Sequence, residues 1–236
     1  MKNLIITPIP ALTDNYIWLI QANQNVIIVD PGESHKVIKY IQENHLNPLA
    51  IWLTHNHEDH TDGVNDIISL WPELQIIGPN ETSQWNTMTV DSSSNIEALG
   101  YKVTVFNTPG HTSNHISYLI DQHLFCGDCL FSIGCGRVFT LDYQAQFNSL
   151  NLIKQLDENT LIYCGHEYTL TNLKFALEHS ENSEDINLLI NQCKKRLNQN
   201  LPTLPCLLSD ELKFNPFLNC NNLNDFIQLR KFRDNF

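Results

Sequence analysis

His55, His57, Glu58, Asp59 and His60 fall within six consecutive positions of "THNHEDH", directly after the apolar run "LAIWLT". Neither packing nor solubility gives a reason to set imidazoles two apart beside an acid and another imidazole. Metal binding does. Side chains two apart leave the end of a strand in the same direction, so His55 and His57 can hold one ion, while a turn of the chain brings Asp59 and His60 to a second. Each ion needs more than two protein ligands. His111 in "TPGHTSNH" and His166 in "YCGHEY" are natural third partners, and Asp128 in "FCGDCL" can bridge with one carboxylate oxygen to each ion. Five imidazoles and two carboxylates suit zinc and are acceptable to iron or manganese. Two such ions about 3.5–4 Å apart hold a shared water as hydroxide near neutral pH and polarise a carbonyl or phosphoryl oxygen. The expected chemistry is hydrolysis, with Asp59 and Asp128 supporting the nucleophile.

Other groups carry blander readings. Cys126 and Cys129 have the C-x-x-C spacing of a redox pair or half a zinc knuckle. There is no second C-x-x-C, and the intervening Asp128 is wanted as the bridge, so packed, reduced cysteines are expected. His35, His45, His123 and His179 lie in polar helical or turn contexts and read as solvated, whereas His115 is a candidate to support a ligand from behind.

These groups must be delivered by regular elements. "NYIWLI", "NVIIVD", "LAIWLT", "LQIIG", "YKVTVFN", "HISYLI", "QHLFCGD" and "TLIYCG" read as short strands rich in Ile, Val, Tyr and Trp, and the polar clusters follow several of them. Helical candidates such as "SHKVIKYIQENH" and "QFNSLNLIKQLDE" lie between them, which indicates a layered α/β domain with loops converging on a site. After residue 166 the texture turns helical. "SEDINLLINQCKKRLNQN" offers Ser183 as a cap, acids in its first turn and apolar residues at helical spacing. The boundary falls between an α/β domain over residues 1–165 and a smaller helical domain over 166–236.

The chain has 236 residues, a formal net charge of −12 and seven cysteines. That charge argues against a broad nucleic-acid or anionic-membrane surface. The odd, scattered cysteines do not form a disulfide framework and suit a reducing cytoplasm. The first twenty residues lack the features of a signal peptide, and no apolar run is long enough to span a bilayer, so a soluble, cytoplasmic monomer is expected.

"THNHEDH", "TPGHTSNH", "CGD" and "CGHEYT", in this order and spacing, resemble the metallo-β-lactamase superfamily. Within it, "ALTDNYIW", "VDPG", "CGR", "CGHEYTLTNLKFA", "NPFL" and the terminal "LRKFRDNF" are similar to the glyoxalase II, or hydroxyacylglutathione hydrolase, family over nearly the whole chain. The resemblance implies an αββα sandwich with a smaller C-terminal helical domain and a thioesterase that releases glutathione and a 2-hydroxy acid, typically D-lactate. It implies His55, His57 and His111 on one metal, Asp59, His60 and His166 on a second, and Asp128 between them. Glutathione contacts would fall on Arg137, Phe139, Tyr168, Arg230 and Arg233. The tail fits this role, because glutathione carries two carboxylates and guanidinium forks bind carboxylates bidentately. Arg230 and Arg233, three apart on a helix, would face one side while Leu229 and Phe232 pack elsewhere.

The chain departs from the family pattern at Val138 and Phe139, where two aromatics usually follow "GR", and at Thr140, Leu141 and Asp142, which replace an "EGT" turn. Asn56, Asp62 and Asn114 replace a histidine that is not a ligand and two glycines. These changes bear on the thiol, not on the metal set. Other hydrolases of the superfamily, such as lactonases or β-lactamases, would not need the helical domain or the arginine tail, and a persulfide dioxygenase usually keeps one metal.

Overall fold

The structure, a computed structural model, describes residues 4–179 and 183–236. In chain order its elements begin with β1 (Ile5–Ala11), β2 (Asn15–Ala22), β3 (Asn25–Val29), α1 (His35–Glu43), β4 (Asn47–Trp52), α2 (Glu58–Thr61) and α3 (Val64–Leu70). Strands β5 (Gln75–Gly78), β6 (Met88–Thr89), β7 (Ile96–Ala98), β8 (Tyr101–Asn107), β9 (Ile116–Ile120), β10 (His123–Gly127), β11 (Leu130–Phe131) and β12 (Gly134–Cys135) follow. The chain closes with α4 (Tyr143–Ile153), β13 (Leu161–Cys164), α5 (Thr169–Glu178), α6 (Ser183–Asn198), β14 (Cys206–Leu207), α7 (Leu208–Phe214) and α8 (Leu223–Asp234). Among the described residues no helix is long and apolar enough to cross a membrane.

All eight strands expected from apolar runs form. Strand β1 was not anticipated because "IITPIPA" contains Pro8 and Pro10, each lacking an amide donor. The structure shows why it is tolerated: β1 is the edge of its sheet and, among the described residues, pairs with β2 alone.

The chain forms two compact units, Met1–Asn107 with Asn114–Asp121 and Thr108–Ser113 with Gln122–Phe236. The first contains a sheet of order β1-β2-β3-β4-β5-β6, antiparallel to β3 and parallel from β3 onward. One face is covered by α1 and α3 through Val37, Ile41, Val64 and Ile67, which join Ile28, Ile51 and Leu53 in a continuous core. The other meets the antiparallel strands β7, β8 and β9. There the Tyr118 ring stacks on Trp52 at 4.7 Å, and its hydroxyl lies 2.9 and 3.0 Å from the carbonyls of Leu53 and Ile77. Burial on both faces explains why β3 and β4 read as unbroken apolar runs. Their parallel register, Val29 opposite Trp52, delivers the residues after each strand side by side.

In the second unit β10 and β13 run parallel, β14 lies antiparallel to β13, and β11 with β12 forms a separate two-stranded ribbon. Helices α5, α6 and α7 share a core of Leu173, Ala176, Ile186, Ile190 and Phe214, which also receives Ile133 from the loop between β11 and β12. That loop is tied down by polar side chains. Glu211 accepts the Ile133 amide at 2.8 and 3.0 Å, Asn215 donates to Glu211 and to the Gly134 carbonyl, and Asn172 donates to the Ser132 carbonyl.

Burial pushes the Glu211 carboxyl from 4.5 up to about 7, against hydrogen bonds from Asn215 and the Ile133 amide that pull it down. Between those values the folded chain holds a proton that the unfolded chain has lost. The stability this group contributes is therefore complete below pH 4.5, is lost as pH rises, and stays lost above 7, a change of about 3 kcal/mol. The difference in urea stability between wild type and E211Q should trace this slope over pH 5–8. A difference that does not vary with pH would refute the assignment.

Candidate metal centre

Asp30 and Thr54 begin the cluster in the first unit, being the residues that β3 and β4 deliver side by side. Asp30 stands in a left-handed conformation, φ +51°, with its amide donating to the Trp52 carbonyl at 2.9 Å. Its carboxylate accepts the Thr54 amide at 2.8 Å, the Thr54 hydroxyl at 2.6 Å and His60 Nδ1 at 3.1 Å. A carboxylate can only accept, so His60 Nδ1 carries the proton and Nε2 keeps its lone pair. The same logic passes through Thr54. Its one hydroxyl proton goes to Asp30, so its oxygen accepts from His55 Nδ1 at 3.0 Å, and His55 Nε2 keeps its lone pair as well.

His55 Nε2 lies 3.2 Å from His57 Nδ1, and His60 Nε2 lies 3.6 Å from Asp59 Oδ2. Two atoms bound to one tetrahedral zinc at about 2.05 Å stand roughly 3.3 Å apart. Both pairs are at co-ligand separation. Asp30, His55 and His60 also offer ligand atoms within 4.8 Å of one another. The one-turn helix α2 carries Asp59 and His60, and Asn15 Nδ2 donates to Asp59 Oδ2 at 2.9 Å. Behind them a Cβ at Gly32 would stand 1.8 Å from the Asp59 carbonyl, so only glycine lets "DPG" pass. His115, fully buried, stacks on the His55 ring at 4.9 Å.

In the second unit the loop containing His111 and the ends of β10 and β13 bring three groups together. His111 Nδ1 donates to the Arg137 carbonyl at 2.8 Å, which leaves the lone pair on Nε2, 3.5 Å from Asp128 Oδ2. His166 Nε2 lies 3.3 Å from the same oxygen. The His166 ring is clamped by Tyr168, stacked at 4.7 Å, and by the edge of Phe131 at 5.7 Å. A Cβ at Gly136 would come within 1.9 Å of the Asp128 carbonyl and 3.0 Å of His111 Nδ1, so β12 can close on this loop only at a glycine. His55, His60, His111, Asp128 and His166 are all buried. Acceptor atoms gathered in low dielectric are stabilised by a cation, so the donor set fits a metal.

Sequence reading named all seven of these side chains but passed over Asp30, Thr54 and Asn15. "VDPG", "LT" and "DNY" carried the signal, since each sets a polar residue beside a buried strand. Asp30→Asn should lower metal affinity by roughly 10- to 100-fold. The new amide can donate toward His60 Nδ1 and so favours the tautomer whose proton sits on Nε2. Competition with a chromophoric chelator measures this, and unchanged affinity would show that Asp30 merely braces β3 on β4.

The cysteines behave as packing groups. Cys126, Cys129, Cys135 and Cys164 are buried thiols, and burial raises each of them, that of Cys135 against the opposing pull of the Arg230 guanidinium.

The expected thiol-binding residues divide. Arg137 and Phe139 are exposed, the Phe139 ring lying edge-on to His111 at 5.3 Å, and Arg233 is half-buried with Nε and Nη2 on Asn172 Oδ1. Arg230 departs from expectation. It is 4% exposed, its Nη1 donates to the Cys135 carbonyl at 2.7 Å, and its Nη2 pairs with Asp234 at 3.0 Å. Phe232, expected to pack, is 62% exposed. The inward face of α8 runs Phe226, Arg230, Arg233, and the guanidinium of Arg230 lies 5.2 Å from the Phe217 ring. Arg230 is corrected from an open fork to a buried fastening of the segment that follows β12.

A family model described as hydroxyacylglutathione hydrolase C-terminus matches residues 167–236, and one described as metallo-beta-lactamase superfamily matches residues 12–91 and 87–166. The hydroxyacylglutathione hydrolase of Glaesserella parasuis serovar 5 (strain SH0165) is 47% identical over 244 residues, covering 99% of this chain and 100% of its own. That of Actinobacillus pleuropneumoniae serotype 5b (strain L20) is 48% identical over 234 residues with the same coverage. Among solved structures, ETHE1 from Myxococcus xanthus has a TM-score of 0.73 at 20% identity, covering 96% of this chain and 90% of its own. The BLEG-1 B3 metallo-beta-lactamase has a TM-score of 0.71 at 21% identity, covering 92% and 100%. These structural likenesses show the fold, the α/β sandwich of the metallo-β-lactamases with helices at the C-terminal end.

Proposed function

The chain belongs to the hydroxyacylglutathione hydrolase family of the metallo-β-lactamase superfamily, and from that membership we propose that it hydrolyses S-(2-hydroxyacyl)glutathione, S-D-lactoylglutathione above all, to glutathione and D-lactate. This is the second step of methylglyoxal detoxification. The fold and the histidine–aspartate clusters imply a divalent metal. We assign one ion to His55, His57 and His111 and a second to Asp59, His60 and His166, with Asp128 shared, and zinc as the metal ahead of iron or manganese. When bound, such a pair supplies an activated water and a Lewis acid for the thioester carbonyl.

The rest of the work falls to the protein. Asp30, Thr54 and the Arg137 carbonyl hold ring protons at Nδ1 so that Nε2 of His60, His55 and His111 faces the centre. Tyr168, stacked on His166, and Phe139, against His111, offer ring surfaces beside the ligands. Arg137 and Arg233 supply the cations that glutathione carboxylates require, whereas the departing thiolate, with a pKa near 8.5–9, needs little help from an acid. Residues 1–165 form the hydrolase domain in this reading and 166–236 the substrate-binding domain. A monomer in the cytoplasm is the simplest setting, and the seven cysteine thiols support a reducing compartment.

The observation that carries this function is the near-full-length family match, joined to ligand pairs at co-ligand separation. Parallel incubation with S-D-lactoylglutathione, a β-lactam and an acyl-homoserine lactone tests it. Turnover of the thioester alone is expected. Preference for the lactam or the lactone would move the chain to another branch of the superfamily.

A further inference from the structure

Asp234 has no role in the site described so far, yet it joins two arginines. Its Oδ1 accepts Arg137 Nε at 3.3 Å and lies 3.0 Å from Arg230 Nη2. The two partners differ in freedom. Arg230 is buried and pinned by the Cys135 carbonyl, and it holds Asp234 from one turn earlier on α8. The Arg137 side chain is 55% exposed, and its guanidinium donates to Asp234 through Nε. The guanidinium also lies 5.8 Å from the Phe139 ring. A fork fixed at Nε keeps its Nη1–Nη2 edge for a second, bidentate partner, and a carboxylate matches that edge.

We propose that Asp234 is a positioning residue for substrate binding: anchored by Arg230, it orients Arg137 so that its terminal edge is presented to a carboxylate of the glutathione moiety. The inference rests on the thioesterase reading above and deepens it. Without Asp234 the Arg137 side chain must be ordered when substrate arrives, and that loss of rotamer freedom weakens binding. The negative charge of Asp234 opposes an incoming carboxylate. Arg137, Arg230 and Arg233 outnumber it three to one, so the region stays cationic. Orientation of Arg137 assists ground state and transition state alike, which locates the effect in KM and not in kcat.

The test uses the metal-loaded full chain. For S-D-lactoylglutathione, Asp234→Ala should raise KM roughly tenfold, equivalent to about 1.4 kcal/mol, with kcat within about twofold. Calorimetric affinity for glutathione should fall by the same factor. Asp234→Asn keeps an oxygen that accepts from Arg137 Nε and should stay within about threefold of wild type. In an Arg137→Ala background, Asp234→Ala should add nothing further to KM. A thioester lacking the peptide carboxylates should not distinguish the variants. If either variant lowers KM, Asp234 is a competing anion and the proposal is overturned. An Asp234→Ala protein that fails to fold, or that loses kcat on the small thioester, makes Asp234 structural and overturns it equally. An unchanged KM does the same. Wild type inactive on the glutathione thioester would instead refute the thioesterase reading and take this inference with it.

Discussion

Asp128→Asn should lower turnover by roughly a thousandfold or more, about 4 kcal/mol of transition-state free energy, and should lower metal occupancy with it. The geometry gives the reason. One oxygen of Asp128, Oδ2, stands 3.5 Å from His111 Nε2 and 3.3 Å from His166 Nε2, so a single carboxylate serves two imidazoles assigned to different ions. An amide has the same shape and can keep an oxygen at that point, but it carries no charge to set against two cations. Two cations would then sit close together with less anionic charge between them. Elemental analysis, with circular dichroism to show that the fold survives, separates this from unfolding. Normal metal content with near-normal rates would make Asp128 an ordinary turn residue of "CGDC".

The second large effect is total. Exhaustive chelation should abolish turnover, and activity should return linearly with added zinc up to about two equivalents per chain. The two co-ligand separations motivate the count, since His55 with His57 and Asp59 with His60 form distinct pairs on one loop. The metal-loaded protein should also melt at a higher temperature than the stripped one, because an ion that binds only the folded state stabilises it by mass action. Full activity at one equivalent would refute the shared, two-ion assignment while leaving the hydrolase family intact.

What was legible in the sequence follows the physics of each signal. Imidazoles at positions 55, 57 and 60 have no cheap structural use, so "HNHEDH" announced chemistry by itself. Strands buried on both faces, such as β3 and β4, are dense in Ile and Val and could be read directly. Asp30 could not, because its role depends on a parallel register that sets Val29 opposite Trp52 across a long connection. Arg230 misled for a related reason. A cationic tail reads as solvated or substrate-facing, and only the packing of α8 against the Cys135 carbonyl and the Phe217 ring shows a guanidinium used inside the protein.

The fastening of the segment from Phe131 to Gly136 also bears on biosynthesis. Ile133 waits for Glu211, 78 residues later, and the Cys135 carbonyl waits for Arg230, 95 residues later. At about 5–20 residues per second, that second interval alone lasts roughly 5–20 s on the ribosome. During it the turn behind Asp128 lacks the side chains that close it. The turn behind Asp128 therefore takes its closed shape only once α8 has been made and Arg230 has reached the Cys135 carbonyl.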